Sequence, residues 1–170
     1  MHNKSFTADN QATIIGGRNI GDAYFGARDE GLFLDLDVLA VGPIVADVSR
    51  DFDRYWASES AYPAERILPP VSSEELDRLS RQASLVERDP AARAYVEAVR
   101  SLPFIDQMLT GSLPLTWAPV RMVSDDPAKG VGKALREALL AAALHEAIGE
   151  PQRETKLVSG YFVPVQSGPE

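Results

Sequence analysis

Cysteine is missing from all 170 residues, so the chain has no disulfide, no thiolate metal ligand and no cysteine nucleophile. That absence does not fix a compartment. Histidine occurs only twice, at His2 and His145, so any imidazole chemistry falls on very few candidates. Basic residues are also short: 17 Lys and Arg stand against 25 Asp and Glu, a formal net charge of -8. Broad electrostatic capture of nucleic acid needs a basic face, and this balance argues against it while leaving room for a locally basic pocket. No apolar run approaches the roughly 18 residues that cross a bilayer. The first residues are polar and lack the apolar segment of a signal peptide. There is no low-complexity tract and no internal repeat. What is present is a 45% hydrophobic chain, enough for one domain with a core and too short for two large ones.

The opening residues read as a hairpin. Residues 3–8 and 11–16 carry β-type patterns, the second as QATIIG, and Asp9-Asn10 supplies the tight turn between them. Residues i and i+2 of a strand share a face, so His2 and Lys4 project together and can share a ligand. The second strand runs into GGRN, where Gly16 and Gly17 allow close backbone approach and Asn19 offers an amide donor. Further on, LFLDLDVLAV predicts a strand around 33–39, followed from about 43 by a helix containing IVADVSRDFDRYW. SAYPAERILPPVSS holds three prolines and reads as a connector. SSEELDRLSRQASLVER starts with a serine cap and early acids, as a helix N-terminus should, and a second helix over 89–100 follows. LPFIDQMLTGSLPL is apolar enough for a groove or a membrane-facing segment, with ordinary core packing the favoured expectation. A strand around 115–123, a long helix over 130–148 and a final strand near 155–163 complete the expectation. The acidic SDDPAKG and RDFDRYW lack convergent ligand spacing and read as a loop and a solvated helix face rather than a metal site.

Six positions then fall into one pattern: His2-x-Lys4-x-x-x-x-Asp9, six residues, Gly16-Gly17-x-Asn19. With typical usage near one in twenty per position, a chance match is on the order of 10⁻⁸ per starting point. The pattern resembles the HKD motif of the phospholipase D superfamily. GGRNIGDAYFGA, FLDLDVLAVGPIVADVSRDFDRYW, WAPVRMVSDDPAKG and LVSGYFVPVQSGPE resemble its bacterial branch of cardiolipin synthase C-type phosphatidyltransferases, with residues 60–115 matching loosely.

The resemblance implies an α/β fold, a phospholipase D-like half with a mixed β-sheet flanked by helices, incomplete at both ends. Residues 1–60 would be the motif-bearing part, 61–114 a Pro-containing connector and helical insertion, and 115–170 a strand, the long helix and the start of a second half. Members carry two HKD motifs in two similar halves that meet at the active site, whereas this chain has one. His145 has alanine two residues on instead of lysine and is not a second motif.

The implied chemistry is phosphodiester exchange through a phosphohistidine, on a phospholipid such as phosphatidylglycerol, at the bacterial cell membrane as a peripheral protein. His2 is the nucleophile, since neutral imidazole is abundant at neutral pH. Lys4 and Asn19, with the backbone at Gly17, would bind the phosphate oxygens, so no cofactor and no metal are expected. A second HKD half, or a homodimer, would supply the general acid. Asp9 belongs to the motif yet falls in the turn, where a structural role suits it, its carboxylate bonding turn N–H groups. Asp35, in Phe33-Leu34-Asp35, fits the family's orienting acid for the histidine, with Asp37 as the fallback; both also suit exposed strand positions. Two other functions stay open: a single-motif homodimeric nuclease of the same superfamily, and a non-catalytic remnant or interaction module.

Overall fold

A computed structural model describes residues 3–26, 31, 33–156 and 158. His2 and most of the expected strand near 155–163 lie outside the described residues. The chain divides into two compact units, one formed by Met1–Tyr62 with Val120–Glu170 and the other by Pro63–Pro119.

The first unit is built on a three-stranded sheet, β1 Ser5–Ala8, β2 Ala12–Gly16 and β3 Asp37–Val41, in the order β1-β2-β3. Both pairings are antiparallel, so the mixed sheet expected from the resemblance is corrected to an antiparallel one among the described residues. The hairpin turn is where the sequence places it. Asp9 and Asn10 both take positive φ, 49° and 55°, and Gln11 N–H donates to Ala8 O at 2.9 Å. Left-handed backbone at both central positions matches the twist of the flanking strands, and Asp and Asn tolerate it better than other side chains. Among the described residues the Asp9 carboxylate has no hydrogen bond. The turn's side-chain contact comes from Asn10, whose Oδ1 accepts from Ser49 Oγ at 2.6 Å.

β3 begins later than the sequence pattern suggests. Residues 33–36 carry no regular structure, because β2 ends at Gly16 opposite Asp37 and leaves nothing for them to pair with. A one-turn helix, α1 Asp22–Phe25, lies between β2 and β3, and α2 Ile44–Trp56 follows β3. Val45 and Val48 of α2, each 1% exposed, form the apolar core with Thr13 beneath them. Each buried valine contributes about 1.5–3 kcal/mol. Thr13 satisfies its hydroxyl on Thr7 Oγ1 at 2.9 Å, which removes the cost of burying it.

The strand expected at 115–123 is absent, since residues 112–126 carry no helix or strand and no ladder partner meets them among the described residues. The long helix expected at 130–148 is also shorter. A 3₁₀ turn spans Pro127–Val131, Gly132 closes it at φ 71°, a second spans Arg136–Ala138, and the last helix, α6, covers only Leu140–Ile148. Two glycines in three residues disfavour a helix there, and the Asp125 carboxylate fixes the α6 start by accepting from Leu140 N at 2.8 Å.

The second unit holds α3 Ser73–Arg88, α4 Pro90–Arg100 and α5 Pro103–Leu109. α3 opens with a reciprocal cap in which Ser72 Oγ accepts from Glu75 N and Glu75 accepts from Ser72 N. Asp89 ends α3 and starts α4, its carboxylate accepting from the N–H groups of Ala91 and Ala92 with Pro90 at the first helical position. No described residue from 63 to 119 is buried. The core packing expected for LPFIDQMLTGSLPL is therefore corrected: Phe104, Met108 and Leu109 are exposed, because the unit supplies no second apolar layer over them.

Candidate functional site

The first unit holds a cavity of about 1030 Å³, and the two ends of the sequence pattern converge on it. Asn3, Lys4, Ser5 and Phe6 line it from the start of β1; Gly16, Arg18, Asn19 and Ile20 line it from the end of β2. The hairpin produces this convergence. Ser5 pairs with Ile15 across the ladder, which brings the residues just before β1 beside those just after Ile15. α2 contributes Val48, Asp51, Phe52 and Tyr55, and the 122–124 segment contributes Met122, Val123 and Ser124.

The sequence-derived candidates separate on this geometry. Lys4 and Asn19 line the cavity, and Asn19 Nδ2 donates to the Tyr24 hydroxyl at 2.9 Å, which sets the amide plane. Gly17 does not line it and Gly16 does, because the Asp35 carboxylate lies directly against Gly17. Asp9 sits in the hairpin turn at the far end of β1. Asp35 lies outside the cavity wall and its Oδ1 accepts from Leu36 N at 2.8 Å, whereas Asp37, the fallback, lines the cavity. His2 falls outside the described residues, so its contact with either acid is not described. His145 lies exposed in the last turn of α6 and away from the cavity.

Arg18 is a residue the sequence reading passed over. Its Nε donates to Asp37 Oδ2 at 2.6 Å, Nη2 donates to the Asp35 carbonyl at 3.3 Å, Nη1 donates to the Tyr24 carbonyl, and the guanidinium lies 5.9 Å from the Phe25 ring centroid. One side chain thus clasps the end of β2 to α1 and to the start of β3. The forked guanidinium suits this many fixed acceptors, and a lysine would not replace it. The glycines belong to the same arrangement. A Cβ on Gly16 would meet Asp37 Cγ at 2.8 Å and the Leu36 carbonyl at 2.9 Å, so Gly16 is needed for close approach.

One acid of RDFDRYW corrects the expected solvated helix face: Asp51 is only 8% exposed, while Asp53 is exposed. In the SDDPAKG loop Asp125 is also only 8% exposed. Asp51 accepts from Ser124 Oγ at 2.6 Å and pairs with Arg54 at 3.3 Å. Asp125 accepts from Leu140 N and from Lys129 Nζ at 2.5 Å. Burial works against the charge on Asp125, but the Leu140 N–H and the Lys129 ammonium outweigh it and hold its pKa below the ordinary carboxylate value. Tyr55 donates its hydroxyl to the Asp125 carbonyl at 2.7 Å and interacts with the Asn3 side chain. Burial raises its pKa, the Asn3 hydrogen bond opposes that, and the negative charges of Asp51 and Asp125 add to the rise. Helix-facing acids are hard to tell from solvated ones in sequence. The i, i+4 spacing of Asp51 and Tyr55 was the available signal.

Chemically, the cavity brings a cation, an amide and small backbone together with the apolar side chains of Phe6, Ile14, Phe25 and Phe52. Among the described residues no cluster of three or more His, Asp or Glu could hold a metal ion, and no helix is long and apolar enough to cross a membrane.

Comparison with known proteins gives one strong similarity. The chain is 49% identical over 168 residues, 99% of its length, to cardiolipin synthase C of Escherichia coli strain K12, and that match covers 35% of the longer protein. Two uncharacterized proteins of Helicobacter pylori, from strains 26695 and J99, are each 29% identical over 168 residues, covering 96% of this chain and 32% of theirs. The chain spans about a third of the length of the curated relatives it matches. No protein-family profile and no solved structure matches it.

Proposed function

Because this chain is a partial homologue of cardiolipin synthase C within the phospholipase D family, we propose that it carries one half of a phosphodiester-exchange site acting on phospholipids. The observation that supports this reading best is the meeting of Lys4 and Asn19, fifteen residues apart in sequence, on the wall of one cavity. Two positions related in the sequence only by spacing thus share one cavity wall, which supports reading both as groups for phosphate oxygens.

The His2 imidazole nitrogen attacks phosphorus, forming a P–N bond as the P–O bond to the leaving alcohol breaks. That alkoxide takes a proton from an acid in a second half. The acceptor alcohol then gives its proton back to the same group, attacks phosphorus and displaces His2, so the proton count closes over one cycle. Lys4 and Asn19 hold the non-bridging oxygens, where fixed donors stabilise charge as it develops. An alcohol acceptor gives a new phosphatidyl ester and water gives phosphatidic acid.

The test supplies the chain with a polypeptide carrying a second HKD half and incubates the pair with phosphatidylglycerol vesicles or, separately, with single-stranded DNA. Phosphatidyl transfer or hydrolysis by the pair, and none by the 170-residue chain alone, is the expected result. DNA cleavage by the chain alone would replace this reading with a homodimeric nuclease. Absence of turnover on both substrates would leave a non-catalytic module.

A further inference from the structure

Two neighbouring residues just past β2 finish on the same tyrosine. β2 ends at Gly16, and Arg18 and Asn19 beyond it carry no regular structure, so among the described residues no ladder bond holds them. Arg18 Nη1 donates to the Tyr24 carbonyl, and Asn19 Nδ2 donates to the Tyr24 hydroxyl at 2.9 Å. Tyr24 is itself held at its backbone and at its ring. Its N–H donates to Gly21 O at 2.9 Å, its ring centroid lies 5.2 Å from that of Phe33, and Phe33 N–H donates to the neighbouring Ala23 O at 2.9 Å. Arg18 is in turn anchored on Asp37 at 2.6 Å. Asn19 lines the cavity with Lys4 whereas Tyr24 does not, so the phenol holds the amide without belonging to the cavity wall.

We propose that Tyr24 is a positioning residue for phosphodiester exchange: its hydroxyl sets where the Asn19 amide stands and so aims the other N–H of that amide at a phosphate oxygen of the substrate. The proposal rests on the function proposed above, which assigns Asn19 to those oxygens. An asparagine amide nitrogen carries two N–H groups. One is spent on Tyr24, which leaves the second for a ligand and restricts rotation of the side chain. Untethered, the same side chain can turn its carbonyl oxygen toward the ligand, and an acceptor facing an anionic phosphate repels it. A fixed donor stabilises developing charge without reorganising as the reaction proceeds, and displacements near 1 Å cost up to about 10²-fold in rate. Arg18 stiffens the arrangement, because it closes the 18–24 segment on the Tyr24 backbone while Asn19 closes it on the hydroxyl.

The experiment is a double-mutant cycle on the chain paired with a second HKD half and supplied with phosphatidylglycerol vesicles. Tyr24→Phe removes the hydroxyl and keeps the ring beside Phe33, and Asn19→Ala removes the donor itself. Tyr24→Phe is expected to lower kcat about tenfold with KM changed by less than about twofold, and Asn19→Ala to lower kcat about 10²-fold. The double variant is expected to be no slower than Asn19→Ala, because the hydroxyl acts only through the amide. Unchanged kcat in Tyr24→Phe, a change confined to KM, or losses that multiply in the double variant would overturn the proposal. Proton NMR of the 170-residue chain reads the tether directly. Through-space contacts between the Asn19 side-chain amide protons and the Tyr24 ring are expected in the wild type, and their absence would overturn the proposal even if Tyr24→Phe failed to fold. A wild-type pair that shows those contacts and turns over no phosphodiester refutes the function and the positioning role that rests on it; full kcat in Tyr24→Phe of an active pair refutes the positioning role alone.

Discussion

Replacing Gly16 by alanine should destabilise the first unit far more than replacing Gly17, although the two glycines are adjacent and neither has positive φ. At Gly17 the three atoms nearest the new methyl all belong to the Asp35 carboxylate, with Oδ1 at 2.7 Å and Cγ at 2.8 Å. That side chain accepts one bond from its neighbour's N–H and can rotate away. The clash is then cheap, and the reduced freedom of the unfolded chain returns about 0.4–1 kcal/mol. Gly17→Ala should change stability by less than about 0.5 kcal/mol. At Gly16 the methyl would meet Asp37 Cγ at 2.8 Å and the Leu36 carbonyl at 2.9 Å. The carbonyl is backbone and cannot swing aside. Asp37 is held by Arg18 Nε at 2.6 Å, with the two side chains 26% and 29% exposed. Moving it forfeits a charge-assisted bond of about 1.5–3 kcal/mol, discounted toward the lower figure for partial exposure. Adding the backbone shift and subtracting the unfolded-state gain leaves a net loss of about 2 kcal/mol for Gly16→Ala. Urea unfolding followed by circular dichroism measures both variants. Equal losses, or a larger loss at Gly17, would show that the Arg18 clasp does not fix the end of β2 and refute the reasoning.

Three further outcomes follow from the site. In the chain paired with a second half, His2→Ala should abolish the covalent phosphoenzyme, read as a base-stable, acid-labile label after alkaline quenching; undiminished label would remove His2 from the nucleophile role. Because a lysine and an amide are assigned to the phosphate oxygens, turnover should survive excess EDTA, and activity lost and then restored by one divalent ion would count against that assignment. The Asp125 carboxylate has a depressed pKa in the folded state, so its contribution is full above the unfolded value of about 3.9 and is lost as pH falls through the folded one. Unfolding free energy measured from pH 6 down to pH 3 should therefore fall in the acid range, and Asp125→Asn should flatten that fall while costing roughly 1 kcal/mol at neutral pH.

The parts of the fold legible in the sequence are those decided locally. Asp9-Asn10 marks a turn because few other side chains tolerate two successive left-handed residues. Ser72 and Asp89 mark helix starts because short polar side chains can reach the first free N–H groups. α2 was legible because apolar residues repeat on one face. The stretches that failed were decided at a distance. Residues 115–123 have the composition of a strand, but a strand exists only where a partner ladder meets it. Residues 130–148 look helical apart from two glycines, and the start of α6 is fixed by a carboxylate fifteen residues upstream of Leu140.

The same division runs through the site. Lys4 and Asn19 were legible because a hairpin converts sequence spacing into spatial neighbourhood through a ladder of fixed register. Asp35 and Asp37 sit two residues apart and would share a face if both were in a strand. β3 begins at Asp37, and Arg18 selects that acid, so only one of the pair lines the cavity. No spacing rule carries that choice, because it depends on where the Arg18 side chain, two residues beyond β2, ends. Tyr55 and Asp51 were hidden for the related reason that their partners, Asp125 and Ser124, lie 70 and 73 residues away. Spacing therefore brings Lys4 and Asn19 to one cavity wall, whereas the bonds of Asp51 and Tyr55 to the 124–125 segment emerge only when contacts distant in sequence are known.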